Sequence, residues 1–146
     1  MKMNLNDQQK EKLEKLATEN DLRFIVLFGS QASGAANKQS DYDVALMSRH
    51  PQPLYANFNR FTQILDRLSN ALQVPEQKLD LTDLHNEDIL LRYQIVLDGE
   101  LLVGDIDDYE NFRVFTVREY QGAVRLRELA TAVIKRRQEL LRGALA

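Results

Sequence analysis

The sequence reads Leu27-Phe28-Gly29-Ser30 and, after ten intervening residues, Asp41-Tyr42-Asp43. Residues Arg23 to Phe28 predict a strand. Its apolar run from Phe24 to Phe28 predicts that both faces are covered, because no position in the run is suited to face water. The small and polar residues from Gly29 to Ser40 predict a loop, or a loop that contains a helical turn. Residues Tyr42 to Met47 predict a second strand. A strand therefore leads through a turn to a second strand that carries two acids.

The residue types in this pattern suit the binding of a triphosphate and of metal ions. Gly29 permits a positive φ or a close backbone approach, and the amides that follow it can bind phosphates together with the Ser30 hydroxyl. Asp41 and Asp43 are two residues apart on an extended chain, so both carboxylates project from one face and can share hard cations. Without the Gly29-Ser30 turn, two acids in a solvated turn would be the simpler interpretation.

A third acid is expected from a neighbouring strand. Residues Lys78 to Leu84 alternate apolar and polar positions, which places Asp80 and Thr82 on one face and predicts Asp83 on the other. Asp80 is the best candidate, because it lies on the polar face of an otherwise apolar strand. Three carboxylates suit two magnesium ions roughly 4 Å apart, which stabilise the attacking and leaving oxygens of a displacement at phosphorus.

The first half of the chain also predicts two helices. Asn6 and Gln9 resemble a capping box, and they precede a short amphipathic helix from about Asp7 to Asn20. Apolar residues recur at three- and four-residue steps from Phe58 to Leu72, which predicts a second helix that Pro75 closes.

The second half of the chain predicts two more helices and a strand. Asn86 can cap a third helix that carries Glu87 and Asp88 in its first turn, and Gly99 suits its C-terminal end. Leu101 to Val103 predicts a short final strand. From about Asp107 the apolar residues follow helical spacing, which predicts a long C-terminal helix with a break near Gly122. Tyr93 and Tyr120 are interpreted as packing residues.

These elements predict a single α/β (or α+β) domain over residues 1–146, with a small mixed β-sheet packed against helices. Hydrophobic residues make up 44% of the chain and charged residues 28%, which is usual for a globular protein. The absence of cysteine excludes disulfides and thiolate metal sites. We expect a cytoplasmic protein with no membrane span, because the longest apolar runs are far shorter than the ~20 residues a span requires.

The charge is unevenly distributed along the chain. The formal net charge of −3 argues against direct binding to nucleic acid, because phosphate-driven binding requires a basic surface. From Glu76 to Glu110 there are eleven acids against two bases, whereas from Arg113 to Ala146 there are eight bases against three acids. The C-terminal part could therefore face an acidic partner.

The motif Gly29-Ser30-x10-Asp41-x-Asp43 resembles the signature of the DNA polymerase β-like nucleotidyltransferase superfamily. Gly34, Ser40 and the segments Leu79–Leu84 and Leu91–Ile95 are similar to the minimal nucleotidyltransferases of the MNT or MntA type. The chain departs from that pattern at Gln31, where many relatives carry arginine or lysine.

The resemblance implies a polymerase β-like fold and a specific activity. Proteins of the MntA type act as antitoxins of HEPN-domain ribonuclease toxins, transferring AMP from ATP to a tyrosine of the toxin and releasing pyrophosphate. It implies that Asp41, Asp43 and Asp80 are metal ligands, in agreement with the two magnesium ions that three carboxylates suit, and that Gly29 and Ser30 contact the phosphates of ATP. The cognate HEPN-domain toxin would be both acceptor and partner.

The sequence leaves open several alternatives for the role of Asp80 and for the activity of the protein. Asp80 could act as a general base rather than as a metal ligand, because one carboxylate can perform either role. The protein could be an antitoxin that masks its toxin by binding alone, or a nucleotidyltransferase that acts on an RNA end or a small molecule. His50 and His85 lack metal-ligand spacing and are predicted to be surface or loop residues.

Overall fold

A four-stranded mixed sheet in the order β3-β2-β1-β4 forms the centre of the molecule. The computed structural model describes residues 3–145, so residues 1, 2 and 146 of the predicted domain lie outside the described part. The strands are β1 (Leu22–Phe28), β2 (Tyr42–Ser48), β3 (Leu79–Asp83) and β4 (Glu100–Gly104). β1 pairs antiparallel with β2 and with β4, whereas β2 and β3 run parallel. The predicted mixed sheet is confirmed.

Five α-helices accompany the sheet in the described residues. They are α1 (Asp7–Glu19), α2 (Ser30–Ser33), α3 (Phe58–Leu72), α4 (Ile89–Asp98) and α5 (Ile106–Leu145). The predicted capping box opens α1, since the Asn6 side chain accepts from the Gln9 amide and the Gln9 side chain accepts from the Asn6 amide. No helix within residues 3–145 is both long and apolar enough to cross a membrane.

The central strand β1 is covered on both faces, as its sequence predicts. Ile25 and Leu27 belong to a core that also contains residues of α1 and α3. Phe24 and Val26 belong to a second core that contains residues of α4 and α5. Because side chains alternate along a strand, the sheet is buried between two helical layers and neither face is left open along β1.

Two predictions about the second half of the chain are wrong. Asn86 does not cap α4; its side-chain amide donates to Asp83, and Asp88 caps the helix by accepting from the Leu91 amide at 2.8 Å. The predicted break near Gly122 is absent, because α5 runs unbroken from Ile106 to Leu145. A glycine in a helix costs about 1 kcal/mol, and the good helix formers around this exposed position tolerate that.

Asp83 is a structural acid that fastens the loops beyond β3. Its side chain is 3% exposed and accepts hydrogen bonds from the Leu54 amide, the His85 amide and the Asn86 side chain. It lies on the face of β3 opposite to Asp80, as alternation predicts. A buried carboxylate with three donors holds these segments against the sheet edge.

We predict that Asp83→Ala lowers the free energy of unfolding by about 3 kcal/mol, because it leaves the buried Leu54 amide without its acceptor. Urea denaturation of this variant beside Asp66→Ala, which removes an exposed acid of α3, measures the effect. An unfolding midpoint equal to that of the Asp66 variant would show that Asp83 does not fasten the fold.

Candidate active site

The parallel pairing of β2 with β3 brings two of the predicted acids together. Asp43 and Asp80 are direct partners in the register of these strands, and neighbouring strands lie about 4.8 Å apart. Asp43 shares its face of β2 with Ala45 and Met47, which belong to the core beneath α4 and α5. Both carboxylates therefore belong to the side of the sheet that α4 and α5 cover.

Asp41 immediately precedes β2, and its negative charge acts on Asp43 together with that of Asp80. Asp41 and Asp80 are exposed, whereas Asp43 is half-buried. Burial raises the pKa of Asp43 above its usual range, and the negative charges of Asp80 and then Asp41 raise it further. Asp80 and Asp41 thus both act on Asp43, and a bound cation would relieve this repulsion.

The described residues do not yet form a closed metal site. Within residues 3–145, no three His, Cys, Asp or Glu side chains stand close enough to ligate a single ion as they are placed. The chemistry of the cluster nevertheless suits a hard cation, since its donors are carboxylate oxygens that repel one another.

Gly29 is required where the end of β1 meets the acids. Its backbone has φ 70° and ψ −151°, a conformation that residues with a Cβ rarely adopt. Phe28 pairs directly with Asp43, and a Cβ added to Gly29 would overlap the Asp43 carboxylate. The glycine therefore lets the turn pass directly beside the half-buried acid.

Ser30 begins the four-residue helix α2 that follows this turn. The Ser33 amide donates to the Gly29 carbonyl, which closes the helical turn. The first amides of a helix have no acceptor within it, and they carry partial positive charge. The turn thus places amide donors and the half-buried Ser30 side chain next to the acidic cluster.

Two lysines that the sequence did not single out lie beside this turn. A cavity of about 390 Å³ is lined by Gln31, Lys38, Lys78 and four further residues between Ala36 and Tyr42. The Lys78 ammonium donates to the Lys38 carbonyl at 2.7 Å, so a residue next to β3 fastens the loop that precedes β2. Only the pairing of β2 with β3 brings Lys78 there, and no local sequence pattern indicates it.

Tyr55 is a second neighbour of the site that sequence reasoning missed. Its hydroxyl donates to the Leu81 carbonyl at 2.8 Å. Burial raises its pKa, and the charge of Asp80 raises it further. Tyr55 lies in a connection marked only by prolines, where no periodic pattern indicates its position.

The two histidines have partners outside the acidic cluster. The His50 ring lies 2.6 Å from the Asp21 carboxylate, and the His85 ring lies 2.8 Å from the Ser48 carbonyl oxygen. Both side chains are in exposed connections, as predicted. Neither residue is needed to account for the arrangement of the acids.

Comparison with known proteins identifies the same region. Residues 11–108 match the family model described as polymerase beta, nucleotidyltransferase. The chain belongs to this family. The matched segment contains the turn at Gly29 and all three acids, so the protein is a nucleotidyltransferase whose family match includes the predicted site.

Within this family, the chain is similar to proteins named as adenylyltransferases or antitoxins. The chain is 32% identical over 112 residues to a protein of Shewanella oneidensis named protein adenylyltransferase MntA. The aligned residues cover 75% of this chain and 76% of that protein. A crystal structure of a toxin–antitoxin with AMP-PNP superposes with a TM-score of 0.63 at 28% identity, covering 86% of this chain and 97% of that one.

A further solved structure is a complex between a tri-AMPylated HEPN toxin of Shewanella oneidensis and an MNT antitoxin. It superposes with a TM-score of 0.58 at 26% identity and covers 86% of this chain and 95% of that one. These neighbours confirm the polymerase β-like fold.

We predict that Gly29→Ala reduces ATP affinity by at least 10-fold while the protein stays folded, because its Cβ displaces the Asp43 carboxylate. Calorimetric titration with ATP and magnesium measures the change. Gly122→Ala is the matched control, since a Cβ at Gly122 meets nothing within 4 Å. Equal affinities for the two variants would exclude the role assigned to Gly29.

We predict that Asp80→Asn lowers the pKa of Asp43 only in part, because burial, the larger cause of its elevation, remains. An acid with a raised pKa in the folded state contributes stability below its ordinary pKa that is lost as the pH rises through the folded value. The variant should therefore be more stable than the wild type at neutral pH without divalent cations.

A carbon-13 NMR titration of the Asp43 carboxyl, with denaturation at pH 4 and pH 7, tests both statements. Asp66→Asn serves as the control of equal charge on α3. If the pKa of Asp43 were the same in the wild type and in Asp80→Asn, Asp80 would not act on Asp43.

Proposed function

We propose that this chain is the antitoxin of a HEPN–MNT pair and transfers AMP from ATP to a tyrosine hydroxyl of its HEPN toxin, with release of pyrophosphate. The observation that carries the proposal is the register of Asp43 with Asp80 beside the Gly29 turn. A relative named protein adenylyltransferase, and a solved complex whose toxin is tri-AMPylated, support the choice of a protein acceptor.

Two sets of residues bind the triphosphate of ATP, the turn at Gly29 and Ser30 and two lysines beside it. The amides after Gly29 and the Ser30 hydroxyl bind phosphate oxygens of the triphosphate. Lys38 and Lys78, which line the cavity beside Gln31, supply positive charge on a chain that lacks a basic residue directly after Gly29-Ser30. The triphosphate would thereby be held beside the acids.

Asp41, Asp43 and Asp80 are the residues that would hold two magnesium ions. Bound magnesium would neutralise charge on the phosphates and favour the ionised form of the acceptor hydroxyl. Burial raises the pKa of Asp43, and the charges of Asp80 and Asp41 raise it further; a bound cation would relieve that repulsion. The fixed strand register keeps Asp43 and Asp80 adjacent at no further cost in entropy.

In the reaction, the tyrosine oxygen forms a bond to the α-phosphorus of ATP, and the bond from that phosphorus to the pyrophosphate oxygen breaks. The hydroxyl proton passes to Asp80 or to solvent. Asp80 has two roles open to it, metal ligation and proton acceptance.

The proposal predicts that the cognate HEPN toxin gains whole AMP units when incubated with the chain, ATP and magnesium. Asp41→Asn with Asp43→Asn should reduce the rate by at least 1,000-fold, because the triphosphate loses its metal-binding residues. The exposed pair Asp66→Asn with Asp98→Asn removes the same charge elsewhere and should leave the rate unchanged.

Intact-mass spectrometry of the HEPN protein measures this transfer. Unchanged mass in a tight complex would instead identify an antitoxin that acts by binding alone. Label from α-³²P-ATP that appears in RNA or in a small product, with none in protein, would identify a different acceptor.

A further inference from the structure

The C-terminal half of α5 extends beyond the rest of the molecule. The packed part of the helix ends near Tyr120, whose ring stacks on Tyr93 of α4 with centroids 3.9 Å apart. Every residue from 125 to 145 is exposed. We call residues 125–145 the overhang, which is about 31 Å long at 1.5 Å per residue.

One side of the overhang is apolar. Its large apolar residues recur at three-, four- and seven-residue steps, so they share one stripe of the helix. The stripe consists of Leu126, Leu129, Val133, Ile134, Leu140 and Leu141, each between 58% and 70% exposed. Exposed apolar surface of this extent on a helix marks a binding surface.

An isolated helix of this length gains little stability in water, because most helical stability in proteins comes from packing of an apolar face. Within residues 3–145 no element packs against the overhang, whose side chains all remain exposed. Another molecule is therefore expected to cover the stripe.

The charges of the overhang argue against a second copy as that molecule. Residues 125–145 contain six bases and two acids, Glu128 and Glu139, which gives a formal charge of +4. At 100° per residue, both acids lie on the side opposite the stripe, whereas Arg137 lies within it. Two overhangs packed stripe to stripe would bring their bases together and leave each Arg137 without a carboxylate.

We propose that the overhang is the docking helix for the HEPN protein that this chain modifies, seated in an apolar groove of that protein with an acidic rim and a carboxylate facing Arg137. The choice of the HEPN protein as the partner rests on the function proposed above. The overhang continues a helix that covers the same side of the sheet as Asp43 and Asp80, so a protein docked on it lies on the side of the acids.

The docking is tested by calorimetric titration of the full chain with its cognate HEPN toxin, in the absence of ATP. Val133→Glu with Leu140→Glu should weaken binding by at least about 100-fold, because two apolar contacts are lost. Thr131→Glu with Gln138→Glu adds the same charge outside the stripe and should change the Kd by less than about 3-fold. Equal losses in both pairs would overturn the proposal.

The position of Arg137 gives a second, narrower test. Arg137→Glu should weaken binding by about 30-fold or more, because a charge would then face a carboxylate of the same sign. Lys135→Glu, which reverses a charge on the opposite side of the overhang, is the control. A larger effect at Lys135 than at Arg137 would contradict the assigned face.

Three further readouts separate this inference from its rivals and from the proposed function. The stripe variants should keep the wild-type affinity for ATP and raise the KM for the HEPN protein with kcat unchanged. The inference would be overturned if the stripe variants bound the HEPN protein as the wild type does. Dimerisation that depends on the stripe, seen by ultracentrifugation, would then identify a second copy as the occupant, and sedimentation with phosphatidylserine vesicles would identify a membrane. A stripe-dependent complex without AMP transfer would uphold the docking and refute the transferase proposal.

Discussion

The rest of the site depends on one constraint, the parallel pairing of β2 with β3 that sets Asp43 beside Asp80. Two carboxylates in register repel each other, and the pKa of Asp43 is raised first by burial and then by the charge of Asp80. The arrangement persists because Val44, Ala45 and Leu46, which follow on the same strand, are almost completely buried between two cores. Apolar burial of this kind contributes about 25 cal/mol per Å² and outweighs the repulsion at the end of the strand.

The sequence predicted the elements well where periodicity and chemistry agreed, and poorly where two residues competed for one role. The apolar run of β1 and the alternation in β3 leave only one arrangement of their faces. At the start of α4, however, Asn86 and Asp88 are both good capping residues, and only the tertiary contact of Asn86 with Asp83 decides between them. The break predicted at Gly122 was wrong for a different reason, since the cost of one glycine to a helix is small beside the helix preference of its neighbours.

The acids could be chosen from the sequence because alternation separates Asp80 from Asp83. One of these residues lies beside Asp43, and the other is buried in a hydrogen-bonding role. The surroundings of the acids could not be chosen in the same way. Lys78 and Tyr55 approach the site only through the order of the strands and the path of a loop, which are long-range features. Local pattern therefore locates the three acids, whereas topology supplies the groups around them.

The separation of charge along the chain bears on how an acceptor would approach. The overhang carries a formal charge of +4, which leaves −7 on the remainder of a chain whose total is −3. An acceptor with an acidic groove is repelled by the acidic body and attracted by the overhang, so its encounter is steered to one end of α5. In the docking proposed above, the long helix attracts the acceptor at a distance from the acids, and the acidic body disfavours approach in other orientations. The same carboxylates that suit metal ions would then also contribute to the choice of acceptor.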